Sequence, residues 1–93
     1  MADLNDASVP KLPRGVKLRE DAERGWLLLA PERVLTLDAI AIAVLGEVDG
    51  VRSFGEIVDR LAERYAAPRD QIAGDVKTFL TDLIEKRMMD VSP

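Results

Sequence analysis

The chain has no cysteine and no histidine. Without cysteine there is no disulfide, no thiolate nucleophile and no thiolate metal site. Without histidine the commonest general base and the commonest metal ligand are missing. No apolar run approaches the roughly 20 residues a membrane span needs, and no signal-peptide pattern opens the sequence. Glycine-rich phosphate loops are also missing, since Gly46, Gly55 and Gly74 stand singly in helical patterns. Calcium-loop spacing of acids does not occur either. These absences set aside most enzyme chemistry. They predict a small, soluble, cytoplasmic binding module that is no enzyme and holds no cofactor or metal.

What is present is one domain's worth of chain: 93 residues, 47% hydrophobic and 32% charged. A chain of this size hides roughly 60–70% of its unfolded surface and holds a modest core unaided. The net charge is −4, and it is unevenly spread. Residues 1–35 carry six bases and six acids, so the excess of acid lies entirely in the remainder. A nucleic-acid binder places a basic stripe on the element that docks. Here residues 69–87 hold four bases (Arg69, Lys77, Lys86, Arg87) against four acids (Asp70, Asp75, Asp82, Glu85). The balance argues against DNA or RNA as a partner.

Residues 1–13 contain two prolines and no apolar period, the pattern of a flexible leader or linker. From Gly15 the pattern changes. Val16 to Arg19 alternate with period two, Trp26 to Ala30 form a short apolar run, and Arg33 to Thr36 follow the break at Pro31. Three strands near 16–19, 26–30 and 33–36 are predicted, joined as an antiparallel meander with a turn over Asp21 to Gly25. The period then becomes 3.6. Leu37, Ile40, Ala41, Val44, Leu45 and Val48 mark a first helix near 38–48, capped by Asp38 and stopped at Asp49-Gly50. Ser53 and Glu56 have capping-box spacing before a second helix near 54–65. A third helix near 70–86 is capped by Asp70, with Ile72, Val76, Phe79, Leu80 and Leu83 as its stripe. The fold class is α+β and winged-helix-like: a three-stranded antiparallel sheet followed by three helices, spanning residues 14–91.

Two acidic pairs at helical spacing, Asp59 with Glu63 and Asp82 with Glu85, sit opposite the apolar stripes and read as solvated surface. Gly74 either lets the third helix approach another backbone or is merely tolerated. The sheet says more. Both faces of Trp26-Leu27-Leu28-Leu29-Ala30 are apolar, because successive side chains point opposite ways. In a meander the third strand is an edge with unpaired backbone groups. Such an edge is either blunted by Arg33 and its own shortness or used to capture an extended peptide.

Pro13-Arg14-Gly15-Val16-Lys17-Leu18-Arg19, Arg24-Gly25, Pro31-Glu32-Arg33-Val34, Leu37-Asp38, Asp49-Gly50 and Phe79-Leu80-x-x-Leu83, in this order and spacing, resemble the PqqD family over about residues 10–91. The resemblance implies a winged-helix-like RiPP recognition element, the domain many systems use to hold ribosomally made peptides for modification. It implies binding of the precursor peptide PqqA and its presentation to the radical-SAM enzyme PqqE in pyrroloquinoline quinone biosynthesis. It further implies no catalysis by the domain itself, and in some members fusion to a neighbouring pathway enzyme. Carried onto this chain, the peptide adds as a strand beside Arg33, Val34, Leu35 and Thr36. Asp75, Val76, Phe79, Leu80 and Leu83 of the third helix form the facing wall, half of the four apolar ones serving only as core. A proline at Leu35 is then expected to remove a ladder donor. The rival readings are a winged-helix DNA-binding regulator and a dimerisation or scaffold domain that uses the edge on itself.

Three departures from the family pattern stand out. Ile40 replaces a common threonine. Ile42 lies off the apolar stripe and is expected to add exposed hydrophobic area. Lys86-Arg87-Met88-Met89 stands where a glycine usually precedes two apolar residues, so the residue that most easily ends a helix in left-handed conformation is missing.

Overall fold

A computed structural model of the chain describes residues 4–92. Its elements run β1 (Val9–Lys11), β2 (Lys17–Asp21), β3 (Gly25–Ala30), β4 (Arg33–Thr36), α1 (Ala39–Gly46), α2 (Phe54–Tyr65), α3 (Arg69–Glu85) and β5 (Asp90–Ser92). β2, β3 and β4 form an antiparallel meander with β3 in the centre. The turn between β2 and β3 follows from its residues. Asp21 accepts the backbone N–H groups of Glu23 and Arg24 at 2.9 and 3.0 Å, and Gly25 supplies a φ of +79°. Central β3 contributes fully buried Leu28, flanked across the ladder by Leu18 and Leu35 on the inner face. That face joins one apolar cluster with Val44 and Leu45 of α1, Ile57, Val58 and Leu61 of α2, and Val76, Leu80 and Leu83 of α3. Each such side chain contributes about 1.5–3 kcal/mol by leaving water.

The two ends of the chain are tied together. β1 pairs antiparallel with β5, Pro10 opposite Val91, in a two-stranded ribbon whose edges tolerate a missing proline donor. The expectation of a flexible leader over 1–13 is therefore overturned for residues 4–13; Met1–Asp3 lie outside the described residues. Leu4, Ser8 and Pro10 are buried. The physical reason is the start of α2, whose first N–H groups have no partner within the helix. Phe54 N–H donates to the Ser8 carbonyl (2.6 Å) and Gly55 N–H to the Asp6 carbonyl (3.1 Å). Glu56 N–H donates to Ser53 Oγ, and Glu56 reaches back to Ser53 N–H, completing the expected capping box. The leader thus satisfies donors that α2 cannot satisfy itself.

The helix ends depart from expectation in three places. Asp38 caps α1 as expected, accepting Ala41 N–H at 2.8 Å. The helix stops at Gly46 and not at Asp49-Gly50, because Glu47 N–H and Val48 N–H turn back to Val44 and Leu45 in a tightened last turn. Asp49 instead holds the next loop, accepting Val51 N–H and Arg52 N–H at 2.9 and 2.8 Å. Pro68, not Asp70, precedes the first turn of α3, and no side chain caps it. Asp70 lies within that turn, where its charge complements the helix dipole. At the other end a left-handed cap forms without glycine. Arg87 has φ +60°, its N–H donates to Ile84, and Met88 N–H donates to Leu83 at 2.8 Å. This is the doubly bonded pattern that closes helix C-termini. The large apolar residue that α1 leaves exposed is Ile40, 63% exposed, whereas Ile42 packs against the core.

The glycines separate two effects. A Cβ at Gly74 meets nothing within 4 Å, so no backbone approaches there. A Cβ at Gly55 meets Asp6 Cβ at 3.0 Å and the Asp6 carbonyl oxygen at 3.1 Å. Gly74→Ala should raise the unfolding free energy by about 1 kcal/mol in urea titration, the ordinary helix gain. Gly55→Ala should fail to gain and should loosen residues 4–8; an equal gain at both sites would contradict the docking of the leader.

The Asp49 carboxyl titrates below its ordinary 3.8, chiefly because Arg52 N–H and then Val51 N–H bond the charged form. A depressed folded pKa gives stabilisation that is complete above the unfolded value and lost as pH falls through the folded one. The midpoint of the Val51 and Arg52 amide shifts on acidification should therefore lie below the ordinary 3.8. Titration midpoints above that value would show the turn is held otherwise.

Candidate functional site

The sheet has two edges of unlike character. β2 presents Lys17, Arg19, Glu20 and Asp21 around a single leucine, the charged composition that discourages further pairing. β4 carries one charge, Arg33, in four residues. Its free side opens on the C-terminal half of α3. Between them lies a groove of about 310 Å³ lined by Leu35, Thr36, Leu37, Asp38, Ile40, Ala41, Phe79, Asp82, Leu83 and Lys86.

Backbone parity along β4 follows from one bond. Leu37 N–H donates to the Trp26 carbonyl at 3.0 Å. In an antiparallel ladder, directly opposed residues alternate between pairs that exchange both backbone bonds and pairs that exchange none. Leu35 opposite Leu28 and Arg33 opposite Ala30 are therefore bonded inward to β3. Val34 and Thr36, opposite Leu29 and Leu27, turn their N–H and C=O groups outward. The four-residue edge thus offers two donors and two acceptors at alternate positions. The expected effect of a proline at Leu35 is corrected accordingly, since its N–H belongs to the ladder with β3 and not to the free edge.

The sequence-predicted site residues fall into five places. Leu35, Thr36, Phe79 and Leu83 converge on the groove. Asp75 and Val76 instead border a neighbouring hollow of about 220 Å³ between the helices, with Ile40 shared by both. Leu80 is fully buried and serves as core; Val76 and Leu83 are also buried. Arg33 lines a separate hollow beyond the groove's end, beside Lys86 and Arg87. Val34 is 52% exposed and contributes backbone to the edge while its side chain lies on the outer sheet face. Sequence reasoning missed Leu37, Asp38, Ile40, Ala41 and Asp82 as groove residues. Ile40, an apolar residue left over where α1 buries Ala41 and Ala43, was the available signal.

The groove's electrostatics are mild. Lys86 Nζ bonds Asp82 Oδ2 at 2.7 Å across one helical turn, a surface pair worth up to about 1 kcal/mol. No buried side-chain polar atom lacks a partner among the described residues, and no group of three metal-ligating side chains assembles among them. Among the described residues no helix is long and apolar enough to cross a membrane. The site offers backbone hydrogen bonds beside an apolar channel.

Fold and edge together define an α+β, winged-helix-like recognition element: an antiparallel meander backed by helices, with one edge left open beside α3. The family model described as Coenzyme PQQ synthesis protein D (PqqD) matches residues 25–89, and the chain belongs to the PqqD family. A PqqA binding protein of Rhizobium meliloti is 44% identical over 89 residues, covering 95% of this chain and 91% of the relative. One from Bradyrhizobium diazoefficiens is 50% identical over 84 residues, covering 89% and 82%. Among solved structures, the PqqD truncation of Methylobacterium extorquens PqqCD, a stand-alone RiPP recognition element, superposes with TM-score 0.81 at 40% identity and covers 95% of both chains. PqqD from Xanthomonas campestris gives 0.59 at 40% identity, covering 92% of this chain and 97% of the other.

Core and groove wall on α3 are separable by mutation. Leu80→Ala should lower the unfolding free energy by about 3 kcal/mol. Phe79→Leu, which keeps a half-buried wall apolar, should cost about 1 kcal/mol or less. Equal losses in urea titration would place Phe79 in the core.

Proposed function

We propose that this protein binds the PqqA precursor peptide as a strand added to β4 and presents it to the radical-SAM enzyme PqqE, without catalysing a step itself. The observation that carries the reading is the pair of outward-facing residues, Val34 and Thr36, beside an apolar groove walled by Phe79 and Leu83. β4 spans about 13 Å at 3.3 Å per residue, room for four or five peptide residues. Each backbone bond contributes about 0.5–1.5 kcal/mol net and reads little sequence. Selectivity then falls to apolar peptide side chains that enter the groove. Family membership and the names of the relatives support PqqA as the peptide. The PqqCD neighbour supports association with another pathway enzyme, and the pathway assignment goes with a cytoplasmic location.

Against the DNA-binding reading stands α3, with as many acids as bases from Arg69 to Arg87. A dimerisation role would use the same edge and compete with peptide.

The parity of β4 supplies the test. Val34→Pro and Thr36→Pro remove outward donors at an edge, where proline is tolerated, and should stay folded by circular dichroism while weakening PqqA binding tenfold or more in calorimetry. Leu35→Pro should instead break the β3–β4 ladder and unfold the edge. Folded Val34→Pro and Thr36→Pro variants that bind like the parent would move the site elsewhere. So would tight, steeply salt-dependent binding to duplex DNA.

A further inference from the structure

Beyond the Arg33 end of the groove, the β3–β4 turn and the C-terminus of α3 enclose a hollow of about 410 Å³. Three cations line it: Arg33, Lys86 and Arg87. Lys86 is committed to Asp82. Arg33 and Arg87 have no ion-pair partner among the described residues; Glu32 also lines the hollow and pairs with neither. Along β4, Arg33 and Leu35 project to the same face, since side chains two apart share a side. That face looks towards α3, where Leu35 lines the groove. The guanidinium of Arg33 therefore extends the groove's own lining towards Arg87.

Arg87 stands at a strained position. At φ +60° it closes α3 in the left-handed region, which glycine enters freely and a bulky side chain enters at a cost. A hollow and two uncommitted guanidiniums, one of them on the left-handed Arg87, thus coincide at one end of the groove. The other end carries Asp38.

We infer that this hollow is a carboxylate subsite: Arg33 and Arg87 take an Asp or Glu side chain of the bound peptide, one or two residues beyond the stretch that pairs with β4. Guanidinium suits a carboxylate because its planar donors match two oxygens at once. The polarity of the groove then sets the direction of the peptide, because a reversed strand would lay the acid against Asp38. This inference rests on the strand-addition reading and names the chemistry recognised at one end of the same site.

The test is a coupling measurement on the full chain with synthetic PqqA peptide in which each Asp and Glu is replaced in turn by its amide. One replacement should weaken binding to the parent protein about 5- to 20-fold in calorimetry. The same replacement should have no effect on the Arg33→Gln/Arg87→Gln double variant. Arg87→Gly should weaken binding as much as Arg87→Gln does, yet raise the urea midpoint, because glycine relieves the left-handed strain. Opposite movement of affinity and stability is what a merely tolerated arginine would not give. If no acidic replacement couples to either arginine while the Val34 and Thr36 amides still shift on peptide addition, the subsite is overturned and strand addition stands. If those amides do not respond, strand addition falls and the subsite with it.

Discussion

Three leucines, Leu18, Leu28 and Leu35, cross the inner face of the meander, and their burial against the helical layer settles where everything else can lie. A three-stranded sheet of this length is marginal alone and needs one covered face. Covering it brings the C-terminal half of α3 beside β4, so that Phe79 and Leu83 face the flank of the strand. Leu35 belongs to both, packing against the core and lining the groove. The groove is the open margin of the core. Its backbone groups at Val34 and Thr36 stay unpaired because β3 already holds Arg33 and Leu35.

The ends of the chain secure this arrangement. The segment before β2 places Leu4 in the core and lends the Ser8 and Asp6 carbonyls to the start of α2. The segment after α3 follows the left-handed turn at Arg87, buries Met88 and Met89, and returns as β5 against β1. Arg69 joins the same seam, bonding Asp59 and reaching Asp6 at 3.4 Å. Residues far apart in the chain thus hold the base of α2 and both ends of α3. The groove is consequently framed by elements fixed at both ends.

Much of this was legible in the sequence. The meander, the three helices, the Asp38 cap and the Ser53–Glu56 box follow from periodicity and short-range chemistry, and they lie where expected. β1 and β5 were not legible because each is only three residues long, too short for a period, and each needs the other from the opposite end of the chain. Four of the nine residues expected at the site line one groove. These are Leu35, Thr36, Phe79 and Leu83, while Asp75 and Val76 lie one hollow further along. Parity at the edge was out of reach, because alternation names two sets of residues and only the register with β3 chooses between them. Left-handed Arg87 was unreadable for a related reason: the sequence shows the absence of glycine, not that the turn forms without it.

Amide hydrogen exchange at β4, with and without PqqA peptide, tests the central claim most directly. Arg33 and Leu35 donate within the ladder and should be protected in the free protein, with little change on binding. Val34 and Thr36 should exchange quickly when free and slow tenfold or more when the peptide supplies acceptors. Slowing at α2 alone, or equal change at all four positions, would contradict the account.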